Sequence, residues 1–239
     1  MINSILTVLQ RAAREYGDRI VYMDGAACKG NPDAAEAAET EARGAEAAEA
    51  PVKVDPAASQ LSFAGLERLS AAMGTAVARR SKPEKPIAVM TGRHVFTPAC
   101  YLGVARAGCV YAPMDPAMPA MRLKQILSVI EPELMIVDRQ TRERVSELEY
   151  EGELLIMEEG FETEPEALLL QEREEGLTED SPLYVLFTSG SSGTPKGVLT
   201  SHGAMMCYLD GLNQVIRLGE EDVLGNQAPL DYIAAIRDM

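Results

Sequence analysis

The sequence has few side chains of the kinds that bind transition metals. Its 239 residues include four cysteines and only two histidines, His94 and His202. No two cysteines form a Cys-x-x-Cys pair, so the pattern gives little support to a zinc site. Widely spaced cysteines of this kind favour reduced thiols in a cytoplasmic protein. We therefore predict a cytoplasmic location and assign no metal-ligating residues.

Long apolar runs and basic stripes are also missing. No apolar run reaches the length of a membrane span, and residues 1–19 carry charges within a helix-like pattern, unlike a secretion signal. The chain has 22 Lys and Arg against 37 Asp and Glu, a formal net charge of −15. Without a basic stripe to neutralise phosphates along a strand, a nucleic-acid partner is not expected. A membrane partner is not expected either.

Short apolar runs alternate with helical patterns along most of the chain. Apolar residues recur at helical spacing over residues 5–16 and 63–77, where Ser4 and Ser62 can cap the helices. Runs typical of strands lie at residues 87–90, 109–113, 134–138 and 153–157. This alternation of strands and helices predicts an α/β fold with layered, largely parallel sheets covered by helices.

Two segments lack the pattern of a packed element. Residues 31–51, "NPDAAEAAETEARGAEAAEAP", are low in complexity and have no large apolar side chain. We predict a solvated Ala/Glu-rich insertion there. Residues 158–180 are rich in glutamate and without strong periodicity, so we predict a long surface connection.

The stretch "LYVLFTSGSSGTPKGVLTSH", from Leu183 to His202, has the chemistry of a phosphate site. Its glycines allow close backbone approach to an anion, its hydroxyls and amides can donate to phosphate oxygens, and Lys196 adds a cation. The order differs from a Walker A loop, because Pro195 and Gly197 stand where Gly and Ser or Thr belong. The flanking runs predict a strand-loop-strand hairpin. The competing interpretation is a flexible surface hairpin that binds nothing.

The same stretch resembles the phosphate-binding signature of the adenylate-forming (AMP-binding) superfamily, without interruption from Thr188 to Gly197. Two more stretches resemble family segments in the same order, "LSFAGLERLSAAM" from Leu61 and "GVARAGCVYAPMDPAMPAMRLKQIL" from Gly103. For Tyr111 and Asp115 in the last stretch we predict packing and turn roles. The chain thus resembles the N-terminal portion of the family, most closely amino-acid adenylation domains and D-alanine-carrier-protein ligases.

The resemblance implies a chemistry. Members activate a small carboxylic acid with ATP and Mg²⁺, release pyrophosphate, and pass the acyl group from the acyl-adenylate to a carrier-protein phosphopantetheine or CoA thiol. Catalysis then rests on positioning and on stabilising charge at phosphoryl oxygens. Lys196, which would neutralise the departing pyrophosphate, and Thr188 are the implied catalytic residues. The implied cofactor-binding residues are Thr188, Ser189, Gly190, Ser191, Ser192, Gly193, Thr194, Lys196 and Gly197. For His202 the preferred role is capping or packing.

The stretch "NQAPLDYIAAIRDM" resembles the substrate-pocket segment of amino-acid-activating members, in which an Asp holds the α-amino group. In register with Pro229 and Asp238, the slot of that Asp falls on Ile233, and Asp231 lies two residues early. Either Asp231 enters the pocket through a local shift, or an apolar residue replaces the carboxylate and the substrate lacks an α-amino group. The candidate substrate-binding residues are therefore Asp231 and Ile233.

The family's later segments, for adenine and magnesium, for ribose and for a mobile C-terminal lysine, have no counterpart between Val198 and Met239. Residues 1–239 are thus predicted to be a truncated N-terminal adenylation domain that lacks the mobile C-terminal domain and is inactive alone. Loading of a carrier protein is preferred to acyl-CoA formation because of "NQAP". Two other classes stay open: a nucleotide-binding remnant without turnover, and a structural α/β interaction domain.

Overall fold

The computed structural model describes residues 4–24, 58–188, 195–219, 222, 224–229 and 231–232. Helix α1 (Ile5–Tyr16) opens this part of the chain, and Ser4 Oγ accepts a hydrogen bond from Thr7 N, which confirms the predicted cap. Strand β1 (Ile20–Met23) pairs antiparallel with β2 (Gln60–Ser62) in a small two-stranded sheet. The predicted insertion at residues 31–51 lies outside the described residues.

A six-stranded sheet organises the described chain. Its strands are β3 (Pro86–Met90), β4 (Val110–Pro113), β5 (Leu134–Val137), β6 (Glu153–Ile156), β7 (Pro182–Thr188) and β8 (Lys196–Ser201). The spatial order is β6-β5-β3-β4-β7-β8. The first five strands are mutually parallel, and β8 alone runs antiparallel, to β7. This topology confirms the predicted largely parallel sheet.

Helices connect the strands and cover the sheet. They are α2 (Phe63–Ala78), α3 (Thr97–Arg106), α4 (Ala120–Ile130), a 3₁₀ helix (Arg142–Glu147), α5 (Met157–Phe161), α6 (Ala167–Glu175) and α7 (His202–Ile216). Ser62 Oγ accepts from Gly65 N at the start of α2, as predicted. The connection between β5 and β6 contains the 3₁₀ helix.

Burial on both faces explains why the sequence of the central strand β3 is continuously apolar. Ile87 and Val89 lie in the cluster that contains α2 and α3, whereas Ala88 and Met90 lie in a second cluster with Leu123 of α4. Successive side chains of a strand point to opposite faces, so a strand covered on both faces has no place for a polar residue. All four of these β3 side chains are essentially inaccessible to solvent.

Helices α2 and α3 approach each other closely, and a glycine allows this. A Cβ at Gly103 of α3 would lie 2.6 Å from Met73 Cβ and 3.0 Å from the Gly74 amide nitrogen of α2. Real Cβ atoms do not occupy such positions, so the two backbones approach more closely than any other residue at 103 would permit. This contact seats α3 against the layer that covers one face of the sheet.

The predicted surface connection over residues 158–180 is mostly exposed, but it also contributes to the core. The segment contains the end of α5 and all of α6, and it buries Phe161, Leu170 and Leu177 at 1%, 3% and 9% exposure. Arg106 of α3, also buried, forms ion pairs with Glu67 of α2 at 2.6 Å and with Glu174 of α6 at 3.0 Å. Phe161 and Leu170 are nine positions apart, and Leu168 between them is 83% exposed, so no regular helical pattern marks the buried residues.

The close approach of α2 and α3 yields a stability prediction. Gly103→Ala should lower the free energy of unfolding by about 1–3 kcal/mol, the usual range for overpacking a core. Gly211→Ala in α7 is the matched control, because a Cβ there meets nothing within 4 Å. Removal of a helical glycine alone should stabilise by at most ~1 kcal/mol. Urea unfolding followed by circular dichroism measures both, and equal effects at the two positions would contradict the packing argument.

Candidate functional site

The parallel strands end at one edge of the sheet, which we call the carboxyl edge. In open α/β sheets the crevice outside the carboxyl ends of the strands is the usual place for a ligand. Here β3 is followed by residues 91–94, β5 is followed by Asp138, and β7 ends at Thr188. Because β8 is antiparallel to β7, its first residue, Lys196, lies at the same edge.

The hairpin that was predicted to hold phosphate has its loop end at this edge. We call the two strand residues that flank the loop, Thr188 and Lys196, the mouth of the hairpin. Thr188 pairs with Lys196 across β7 and β8, which confirms the strand-loop-strand prediction, and both residues are exposed. In the described part of the chain the lysine ion pairs are those of Lys85 and Lys124, so no described carboxylate competes for Lys196. The loop residues Ser189–Thr194 lie outside the described residues, and their contacts with phosphate stay predictions.

The two residues that flank Lys196 are sterically constrained. Pro195 is buried. A Cβ at Gly197 would lie 3.0 Å from Val185 Cγ2 and 3.3 Å from Phe187 Cε1 of the neighbouring strand. A Cβ at position 197 would therefore require the side chains of Val185 and Phe187 to shift by a few tenths of an ångström.

Arg122 in the first turn of α4 supports the hairpin from the side. Its Nη2 donates a hydrogen bond to the Thr188 carbonyl at 3.1 Å, across 66 positions of sequence. The turn before α4 is fixed by Asp115, whose Oδ1 accepts from Ala117 N at 2.7 Å and whose carbonyl accepts from Met118 N. The predicted turn role of Asp115 is confirmed, and the turn places Arg122 at the carboxyl edge.

Tyr111 has the predicted packing role. It is 6% exposed, its ring stacks on Tyr101 with centroids 4.9 Å apart, and the Tyr184 ring lies 5.5 Å away. Burial raises the pKa of Tyr111 well above its usual value, so the ring stays neutral and acts as core.

A buried carboxylate ties the ends of β3 and β5 together. Asp138 is 1% exposed; its Oδ2 accepts from Gly92 N at 2.5 Å and lies 3.4 Å from His94 Nε2, and its Oδ1 accepts from Thr141 N at 2.6 Å. Burial opposes the charge of Asp138, but the hydrogen bonds from His94, Gly92 and Thr141 outweigh it, so the pKa of Asp138 lies below its usual range. The hydrogen bond to Asp138 raises the pKa of His94, against partial desolvation.

Arg93, between Gly92 and His94, reaches the segment that was predicted to form the substrate pocket. Its guanidinium donates to the carbonyls of Asn226 at 2.9 Å, Gln227 at 3.2 Å and Ala228 at 2.7 Å, and to Asn226 Oδ1 at 2.7 Å. These contacts bring residues about 133–135 positions away in sequence to the carboxyl edge.

Asp231 follows that segment and is partly buried. Its pKa is raised above the usual value by burial and by the negative charge of Asp115, while the positive charge of Arg122 acts in the opposite direction. Asp231 thus lies near enough to Arg122 for its charge to act on the carboxyl group, and the same arginine donates a hydrogen bond to the Thr188 carbonyl. Ile233 lies outside the described residues, so the choice between Asp231 and Ile233 stays open.

His202 lies far from this group. It starts α7 next to Ser201, which pairs with Pro182 at the opposite, amino-terminal end of β7. The cap of α7 is Ser201, whose Oγ accepts from Ala204 N at 3.2 Å. His202 itself is 1% exposed, and burial lowers its pKa to about 4. The predicted packing role is therefore confirmed for His202, whereas the capping role belongs to its neighbour.

Among the residues predicted as the site, the structure brings Thr188, Lys196 and Asp231 to one edge. It adds Arg93, Arg122 and the pair of His94 with Asp138, to which the sequence alone assigned no role. A signal was present for Arg93 and His94, which follow the predicted strand 87–90, and for Asp138, which ends the predicted strand 134–138. No motif marked the residues, because their partners are backbone carbonyls or distant side chains.

The described residues hold neither a cluster of metal-ligating side chains nor a membrane-spanning helix. They contain no group of three or more His, Cys, Asp or Glu side chains that could hold a metal ion. None of the helices in the described ranges combines the length and the apolar character needed to cross a membrane.

Comparison with known proteins identifies the family. A family model described as "AMP-binding enzyme" matches residues 38–239. AMB antimetabolite synthetase AmbB of Pseudomonas aeruginosa is 38% identical over 159 residues, which are 66% of this chain and 12% of AmbB. A D-alanine--D-alanyl carrier protein ligase of Listeria welshimeri serovar 6b is 28% identical over 190 residues, 77% of this chain and 36% of the ligase. The chain thus spans about a third or less of the length of these relatives.

Solved structures agree with the fold. The fatty acid AMP ligase from Legionella pneumophila superposes with a TM-score of 0.72 at 14% identity, covering 99% of this chain and 37% of that one. ATP-bound MatB from Rhodopseudomonas palustris superposes with a TM-score of 0.62 at 22% identity, covering 76% and 38%. At these identities the likeness concerns the fold alone.

The His94 and Asp138 pair predicts a pH dependence. Because the pKa of His94 is raised in the folded state, its contribution to stability is fully present below the unfolded value of 6.5 and is lost as the pH rises through the folded value. His94→Gln should remove this loss, so the difference in unfolding free energy between parent and variant should shrink from pH 6 to pH 9. Urea unfolding across that range measures it.

His202 provides the internal comparison for this experiment. Its lowered pKa, about 4, keeps it neutral in the folded state above pH 6, so its remaining pH dependence arises from the unfolded state and is the same in the parent and in His94→Gln. A difference between parent and His94→Gln that stays constant from pH 6 to pH 9 would contradict a charged His94 in the folded protein.

Proposed function

Because the chain belongs to the AMP-binding enzyme family, we propose that it is the N-terminal part of an ATP-dependent ligase that activates a carboxylic acid as an acyl-adenylate with release of pyrophosphate. The observation that supports this most is the mouth of the hairpin, where Thr188 and Lys196 face each other at the carboxyl edge. A parallel-sheet edge with a free cation and a small-residue loop suits a triphosphate.

The residues at the mouth fit the phosphate groups of ATP. Lys196 is exposed and has no described carboxylate partner, so its ammonium is free to approach an anion. Arg122 donates a hydrogen bond to the Thr188 carbonyl, and the Thr188 hydroxyl can donate to a phosphate oxygen. The hydroxyls and amides of Ser189–Thr194 would complete the cradle under this proposal.

ATP, when bound, supplies an activated phosphorus with pyrophosphate as the leaving group. The task of the chain is to hold the phosphates so that the acid carboxylate can approach, and to balance the charge that grows on the departing oxygens. Lys196 provides that positive charge in the proposed site, and the pairing of β8 with β7 holds its backbone. Mg²⁺ is proposed with ATP, and no described residue is assigned to bind it.

The acid is proposed to lie beside residues 226–231, between Arg93 and Arg122. An amino-acid substrate is favoured by Asp231, because a buried ammonium needs a counter-charge and the carboxylate of Asp231 would provide one. An acid without an α-amino group is the alternative, in which Ile233 lines the pocket. The acyl acceptor is proposed to be a carrier-protein phosphopantetheine thiol, with CoA as the alternative, because one relative is a carrier-protein ligase.

The proposal makes Lys196 the decisive cation for nucleotide binding. Lys196→Ala should weaken the binding of Mg-ATP about ten-fold or more, since a hydrogen bond to a charged group contributes ~1.5–3 kcal/mol. Isothermal titration of Mg-ATP into the parent and the variant measures this.

Lys85→Ala is the control for that titration. Lys85 is an exposed lysine that immediately precedes β3, at the amino-terminal edge of the sheet. The Lys85→Ala substitution should leave the affinity for Mg-ATP unchanged. Equal loss in both variants would indicate a general charge effect, and no binding by the parent would count against a nucleotide site in this chain.

Asp231 is tested with pairs of acids of the same shape. D-alanine and D-lactate differ only in an ammonium against a hydroxyl, and further amino acids can be paired with their 2-hydroxy analogues in the presence of Mg-ATP. For the amino acid that binds, Asp231→Asn should weaken the affinity about ten-fold, in line with loss of a charge-assisted hydrogen bond. Its hydroxy partner should be unaffected. An unchanged amino-acid affinity would favour the alternative with Ile233.

A further inference from the structure

Three consecutive backbone carbonyls converge on one guanidinium at the carboxyl edge. Arg93 Nη2 donates to the carbonyls of Asn226 and Ala228, and Nη1 donates to the carbonyl of Gln227. Nη2 also donates to Asn226 Oδ1 at 2.7 Å. The segment 226–228 belongs to no helix or strand, so these contacts are hydrogen bonds that a regular element would otherwise provide.

The loop that carries Arg93 is itself held on both sides. Gly92 N donates to the buried Asp138, and the Gly92 carbonyl accepts from Thr97 Oγ1 at 3.0 Å. His94 N donates to the same Thr97 hydroxyl at 3.3 Å, and the His94 ring contacts Asp138. The residues before and after Arg93 thus contact Asp138 at the end of β5 and Thr97 of α3. These contacts fix the backbone from which the Arg93 side chain extends.

An arginine suits this task for a geometric reason. Its guanidinium presents five N–H donors in a rigid plane, so it can serve several acceptors at once, whereas a lysine offers a single rotatable ammonium. A lysine at position 93 would keep the charge and lose the fork that spans Asn226, Gln227 and Ala228.

We propose that Arg93 is a positioning residue for acid recognition: it fixes the backbone of residues 226–228 so that Asp231, three residues further on, is presented at the carboxyl edge. The inference rests on the proposed function, in which this segment borders the acid. It assigns to Arg93 a part in the choice of acid and none in nucleotide binding.

The separation of the two roles follows from the contacts. The phosphate hairpin is supported at Thr188 by Arg122, from α4, whereas the segment 226–228 is supported by Arg93, from the loop after β3. The two arginines act on different stretches of backbone. Loss of Arg93 should therefore loosen the acid segment and leave the hairpin in place.

Hydrogen-deuterium exchange of the whole chain tests the clamp without any substrate. Arg93→Ala and Arg93→Lys should both speed exchange in peptides covering residues 224–232 about five-fold or more, because local opening controls amide exchange. The amide of Tyr232, which donates to the Pro229 carbonyl at 2.9 Å, lies within these peptides. Arg68→Ala, at an exposed position on α2, is the control and should behave as the parent.

A second readout separates positioning from a general structural role. Mg-ATP should protect peptides from residues 183–200 equally in the parent and in Arg93→Ala. The amino acid that binds the parent best is taken from the paired panel that starts with D-alanine and D-lactate. Its concentration at half-saturation should be about ten-fold higher for Arg93→Ala than for the parent, as expected when a binding segment must be ordered on binding. Equal weakening of Mg-ATP and acid would overturn the positioning role.

The outcomes are distinct from those of the proposed function. Unchanged exchange of residues 224–232 in Arg93→Ala would overturn the clamp, whatever the chain binds. Absence of Mg-ATP protection in the parent would overturn the nucleotide site, while the substrate-free exchange would still decide whether Arg93 orders the segment. Restoration of slow exchange by the lysine variant would show that charge alone suffices, and would overturn the argument from the guanidinium fork.

Discussion

Parallel pairing of β6, β5, β3, β4 and β7 is the constraint on which the site depends. Each parallel strand must leave the sheet at the same edge as its neighbours, so chain segments distant in sequence meet there. Gly92 and Asp138 are 46 positions apart and share a hydrogen bond, and Arg122 reaches Thr188 across 66. The antiparallel return of β8 adds Lys196 to the same edge.

The electrostatics of the edge are organised through hydrogen bonds to the backbone. Arg93 and Arg122 are both engaged by carbonyls, and Asp138 is engaged by amides and His94, so these charges stabilise the conformation of loops. Lys196 differs, because no described carboxylate pairs with it. A chain with a net charge of −15 can thus present a local cation where the proposed phosphates lie, since local fields in a cleft outweigh the distant average.

Packing behind the sheet supports this arrangement. The carboxyl edge keeps its geometry because β3 is buried on both faces and α3 is seated against α2 through Gly103. Residues 158–180 contribute to the same layer through Phe161 and Leu170, and through the ion pair of Glu174 with Arg106. A segment that looks like solvated surface by composition therefore closes the core behind the site.

The sequence by itself determined the parts that depend on local physics. Caps at Ser4 and Ser62, the buried strands and the hairpin around Lys196 follow from short-range spacing and residue type, and each was confirmed. Only the tertiary structure decided the helices within residues 158–180 and the roles of Arg93, Arg122 and Asp138. Their partners lie many positions away, and a hydrogen bond to a remote backbone carbonyl leaves no pattern in the sequence, because every residue carries that acceptor.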